Sequence, residues 1–63
     1  MAQAILNYIE RFGETNPTQA YIIGKTFNYI PQEASYEDVD NAFCELYQRG
    51  LIDKIDDINY KKN

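Results

Sequence analysis

Apolar residues recur along this chain with the period of a helix three times, and then the pattern changes. Ala2, Ile5, Leu6, Ile9 and Phe12 follow the i, i+3, i+4, i+7 spacing of one helix face, with Gln3, Asn7, Glu10 and Arg11 opposite. Gly13 predicts the stop, because glycine readily takes the left-handed conformation that closes a helix. A second start is written in Asn16-Pro17-Thr18-Gln19: a capping asparagine, a proline where the missing N–H costs nothing, and an amide that can reach back three residues later. Ala20, Ile23, Gly24 and Phe27 form the expected buried stripe of this second helix. Gly24 would let a neighbouring helix come close, and Ile30-Pro31 would end the element.

Ser35-Tyr36-Glu37-Asp38 is a further capping pattern, reinforced by acids at the positive end of the helix dipole. Val39, Ala42, Phe43, Leu46 and Tyr47 then recur at helical spacing up to Gly50. Beyond it, Leu51, Asp53 and Ile55 alternate with Ile52 and Lys54, and Asp56-Asp57 precedes Ile58-Asn59-Tyr60-Lys61. That predicts two short strands around a tight turn. Ile52, Ile55 and Asn59 would also fit one side of a short helix. The pattern therefore predicts a mainly α fold, a compact three-helix domain with a short C-terminal β-hairpin, over residues 1–63 as one unit.

Size restricts what such a unit can do. A chain of 63 residues removes only about 60% of its unfolded surface from water, which leaves little room for an enclosed active site. Function is therefore expected to be binding and not catalysis. One cysteine, Cys44, and no histidine allow no internal disulfide and no thiolate or imidazole cluster, so no metal or cofactor is expected. The first residues lack the basic start and apolar run of a signal peptide, and no stretch approaches the roughly 20 apolar residues that cross a bilayer. The cytoplasm or nucleus is the expected compartment, or the host cytoplasm if the protein is viral.

The net charge of −4 is unevenly placed. Up to Gln32, Glu10 and Glu14 balance Arg11 and Lys25; from Glu33 onward, eight acids face Arg49, Lys54, Lys61 and Lys62. Five acids and no base lie between Glu33 and Glu45. Tyrosine is the other excess, at six residues. Tyr47 and Tyr8 are expected in or beside the core, whereas Tyr21, Tyr29, Tyr36 and Tyr60 fall off the buried stripes. Tyrosine joins a large apolar face to a polar tip and is enriched at interface hot spots, although such rings also cover core edges.

Three helices followed by a hairpin is the element order of winged helix-turn-helix domains. The segment from Val39 to Ile52 resembles the recognition helix of that superfamily running into its wing, and Leu46-Tyr47-Gln48-Arg49-Gly50-Leu51-Ile52 matches its leucine, three residues, glycine, two apolar residues pattern. The resemblance implies a third helix that reads the major groove, with Asn41, Gln48 and Arg49 chemically suited to it. Glu37, Asp38, Asp40 and Glu45 on the same helix would repel a phosphate backbone. Members that bind left-handed duplexes use an asparagine and a tyrosine on this helix and a tryptophan in the wing; here Asp40 and Cys44 stand at those helical positions and there is no tryptophan.

Other constellations have plainer readings. Gly24-Lys25-Thr26 ends like a phosphate-binding loop, but that motif needs a glycine where Gln19 stands. Asp53, Asp56 and Asp57 lack the spacing, central glycine and closing glutamate of a calcium loop and read as solvated turn acids. Cys44 has no histidine to activate it and reads as a partly buried, inert thiol. Paired carboxylates such as Glu37 and Asp40 would need a water-excluding pocket to do acid–base chemistry.

What remains is a binding reading in two forms. In the first, a small non-enzymatic regulator contacts a protein with a basic surface, such as a component of transcription or replication machinery, through Tyr36, Glu37, Asp40, Asn41, Cys44, Glu45 and Gln48; nucleic-acid mimicry is a variant of it. In the second, a DNA-binding winged-helix transcription regulator, a homodimer included, uses Lys25, Asn41, Gln48, Arg49, Lys54, Lys61 and Lys62.

Overall fold

A computed structural model describes residues 1–63. The chain forms α1 (Ala2–Phe12), α2 (Pro17–Thr26), α3 (Tyr36–Gln48), β1 (Ile52–Lys54) and β2 (Tyr60–Lys62), the three helices and hairpin that the periodicity predicts. α3 lies against α1, α2 and β1. Twelve buried side chains form one cluster, in which Phe43, Ile5, Ile9, Leu46, Ile52 and Val39 are fully enclosed.

The ends of α3 show why this helix is so well marked. Ser35 Oγ accepts the Asp38 N–H at 3.1 Å and Asp38 Oδ2 accepts the Ser35 N–H at 3.0 Å, a complete capping box. At the other end Gly50 takes φ 76°. Its N–H donates to the Tyr47 carbonyl and that of Leu51 to the Leu46 carbonyl, both at 3.0 Å, the paired closure that a left-handed residue permits.

α2 ends earlier than Ile30-Pro31. Its last residue is Thr26, and Asn28 adopts the left-handed conformation at φ 62°. The Tyr29 and Ile30 N–H groups both donate back to the Gly24 carbonyl, at 2.7 and 3.3 Å. Gln32 Nε2 donates to the freed Lys25 carbonyl at 2.6 Å. Local closure by Asn28 thus wins over continued helix. The close approach at Gly24 is made by Ile30 and not by a neighbouring helix: a Cβ there would lie 3.0 to 3.2 Å from three atoms of the Ile30 side chain.

Two expected core positions lie outside. Phe12 is 45% exposed and Phe27 63% exposed, and both rings pack against Tyr29, at centroid distances of 5.4 and 6.2 Å. Tyr8 is buried on α1, while Ile30 and Ala34 from the α2–α3 connection fill the remaining space.

β1 and β2 pair antiparallel in the register Ile52↔Lys62, Asp53↔Lys61 and Lys54↔Tyr60. The turn is not the two-residue Asp56-Asp57 reversal. The Ile55 N–H donates to the Asn59 carbonyl at 2.8 Å, enclosing three residues, Asp56 to Ile58. The other edge of β2 is bonded to Thr15: the Tyr60 N–H donates to the Thr15 carbonyl at 2.7 Å and the Thr15 N–H to the Tyr60 carbonyl at 3.0 Å. This anchorage carries Tyr60, expected off the core, into it at 9% exposure. No helix is long and apolar enough to cross a membrane.

Candidate binding surface

The buried stripe of α3 leaves Tyr36, Glu37, Asp40, Asn41, Cys44, Glu45 and Gln48 on exposed positions of one helix. Cys44 is therefore a free, exposed thiol and not a partly buried one. It lies one turn beyond Asp40, outside the stripe of Val39, Ala42, Phe43 and Leu46.

These residues divide between two sides. Tyr36 and Asp40 look toward the hairpin, and Asn41 and Glu45 toward the start of α1, where they line a shallow groove with Met1 and Ala2. Glu45 forms an exposed ion pair with Arg49 at 3.3 Å, the i, i+4 arrangement that adds only a few tenths of a kcal/mol. Asp38 is held by the capping box. Glu37 and Asp40 have no ion pair within the chain.

Tyr36 is positioned from α2. Its hydroxyl shares a hydrogen bond of 3.3 Å with that of Thr18, and its ring meets Tyr21 edge-on at 5.7 Å. Between the start of α2, the first half of α3 and the hairpin loop lies a cleft of about 300 Å³, lined by Asn16, Pro17, Thr18, Tyr36, Asp40, Lys54, Asp57, Ile58 and Tyr60. Burial raises the Tyr60 hydroxyl above its ordinary pKa, with Lys54 acting in the opposite direction. The ring of Tyr47, itself largely exposed, meets that of Tyr60 at 6.0 Å, which places it beside the core.

The hairpin wall is held by Asp56. Its carboxylate accepts the Ile58 and Asn59 N–H groups at 2.9 Å and the Asn59 side-chain amide at 3.0 Å. These bonds, the Asn59 side chain first, hold its pKa below the ordinary value. Asp57 makes no such bond and borders the cleft.

The basic residues are scattered, and all but Lys61 of the basic set are engaged within the chain. Lys25 Nζ donates to the Ala34 carbonyl at 3.0 Å and lies 5.0 Å from the Tyr21 ring. Lys54 lies over Tyr60, Arg49 pairs with Glu45, and Lys62 pairs with Glu10 at 3.3 Å. Lys61 and Lys62 border a groove against α1. The two remaining members of the nucleic-acid set, Asn41 and Gln48, are exposed on α3. No three acid or thiol side chains converge where they would hold a metal ion.

Lys54, Asp57, Ile58 and Tyr60 were not among the residues the sequence singled out for protein contact, because only the packing of the hairpin brings them opposite α3, and Pro17 joins them through the packing of α2. Ile58 and Tyr60 alternating with Asn59 and Lys61 did carry a clue to Tyr60. Fold and surface together define a small α-helical domain with a C-terminal hairpin and an acidic, tyrosine-bearing third helix. The chain matches no known protein family, no curated protein and no solved structure.

Proposed function

We propose that the protein is a small, non-enzymatic regulatory binding domain whose acidic third helix contacts the basic surface of a protein partner, with transcription or replication machinery as the class of target. The observation that carries this reading is the state of the charges on α3. Glu37 and Asp40 are exposed and unpaired beside the exposed Tyr36, while Lys25 is held by the Ala34 carbonyl, Arg49 by Glu45, Lys62 by Glu10 and Lys54 by the Tyr60 ring. Such a surface repels phosphate and attracts cations, which speeds encounter and sets orientation, while tyrosine rings supply contact area. The order of three helices and a hairpin supports the likeness to winged-helix domains. On this reading the scaffold is kept and the charge of its third helix is inverted, so that mimicry of a nucleic acid is one form the contact takes.

Two titrations of isotope-labelled domain test it, one with a peptide rich in lysine and arginine and one with a duplex oligonucleotide. The peptide is expected to shift amides of α3, with an effect that fades as salt is added, and the duplex is expected to leave them in place. Tight duplex binding that weakens steeply with salt, with shifts at Lys54, Lys61 and Lys62, would replace this reading by that of a DNA-binding regulator.

A further inference from the structure

Resting on the protein-binding reading above, the geometry points to the cleft between α2, α3 and the hairpin as a receptor for one arginine side chain of the partner. At about 300 Å³ the cleft stands at the small end of ligand sites, too small for a folded element and of a size for a single long side chain. Its walls pair two kinds of group that recognise a guanidinium. Tyr36 presents an exposed ring and Tyr60 the uncovered part of a largely buried one, and Asp40 and Asp57 present carboxylates engaged in no ion pair.

A separate observation indicates a cation. Lys54, the cross-strand neighbour of Tyr60, holds its ammonium 5.9 Å from the Tyr60 ring centre and yet pairs with neither carboxylate. The chain thus supplies its own weakly held positive group to the ring, while the acids nearby stay free. A guanidinium satisfies both partners at once, because its plane stacks on a tyrosine face while its edge donates two parallel hydrogen bonds to a carboxylate. An ammonium on the same site makes the electrostatic contact without the stacking or the fork. Arriving arginine displaces Lys54, which is exposed and swings into solvent. Lys54 is thereby a competitor built into the site, and its removal strengthens binding.

The test titrates the intact chain with a short peptide alternating arginine and serine, and with its lysine–serine counterpart, in charge-matched variants. Asp40→Asn is expected to weaken the arginine peptide by about five-fold, and Glu37→Gln, which removes the same charge farther around α3, by less than about two-fold. Lys54→Gln is expected to strengthen it by about two- to five-fold, and Lys61→Gln to have a smaller effect. The lysine peptide is expected to bind several-fold more weakly than the arginine peptide. Equal effects of the two acid variants, or of the two lysine variants, would overturn the cleft while leaving the acidic-helix reading in place. Equal affinity for the two peptides would overturn the arginine assignment, and no shift on α3 with either peptide would overturn both readings.

Discussion

Asn16 and Asn59, far apart in the chain, are joined by a hydrogen bond of 2.9 Å from the Asn16 Nδ2 to the Asn59 Oδ1. The Asn16 Oδ1 at the same time accepts the Gln19 N–H at 2.9 Å and caps α2. Asn59 passes the connection on to Asp56. One asparagine thus fixes the start of a helix and one wall of the cleft.

Asn16→Ala removes both bonds and is expected to cost about 1 to 2 kcal/mol in a urea or thermal melt. Asn16→Asp keeps the capping oxygen, loses the donor, and should fall between the alanine variant and the parent. Because the two asparagines act through one bond, Asn16→Ala and Asn59→Ala combined should cost less than their sum by about 0.5 kcal/mol or more. Strict additivity would show that the link contributes nothing.

Gly24→Ala sets local propensity against packing. Alanine favours a helix interior by nearly 1 kcal/mol. A Cβ 3.0 to 3.2 Å from three atoms of the buried, branched Ile30 side chain has nowhere to go without moving that side chain. The variant is expected to be less stable by about 1 to 3 kcal/mol, and Ile30→Val in the same chain should return part of the loss. A higher melting temperature for Gly24→Ala alone would show that Ile30 yields freely.

Phe43 is fully enclosed and its ring lies 5.2 Å from that of Tyr60, so it joins α3 to the hairpin. Phe43→Ala is expected to cost about 3 to 5 kcal/mol, as much as a fold of this size has in total. Loss of a cooperative melt is the expected result.

The double variant Tyr36→Ala, Asp40→Lys separates binding from folding. It should lower affinity for a basic partner by about tenfold or more. Folding should lose only the edge contact with Tyr21 and the bond to Thr18, about 1 kcal/mol or less. Unchanged capture of the same partner by a folded double variant would remove this face of α3 from the interface.

Asp56 predicts an acid-sensitive hairpin loop. Folding lowers its pKa below the ordinary 3.8, so its stabilising effect is complete above that value and is lost as pH falls through the lower, folded pKa. Below pH 3.8 the Ile58 and Asn59 amides are expected to lose protection, their exchange being compared with that of an unstructured amide at the same pH. Asp56→Asn should show weak protection of the same amides already at neutral pH, with little further change in protection on acidification.

By itself the sequence determined the elements whose cause is local. The periodicities of α1 and α3, the Asn16 cap, the capping box at Ser35 and the closure at Gly50 all depend on residues within a turn or two of each other. It likewise determined which side of α3 is acidic, since spacing alone separates Asp40 and Glu37 from Val39 and Phe43. Tertiary structure decided what depends on distant partners. Ile30 folding back on Gly24 left Phe27 outside, the Thr15 bridge carried Tyr60 inward, and the packing of the hairpin set Lys54 and Asp57 opposite Tyr36 and Asp40. Helical spacing states which side chains share a face; only packing between elements determines which face is covered, and by what.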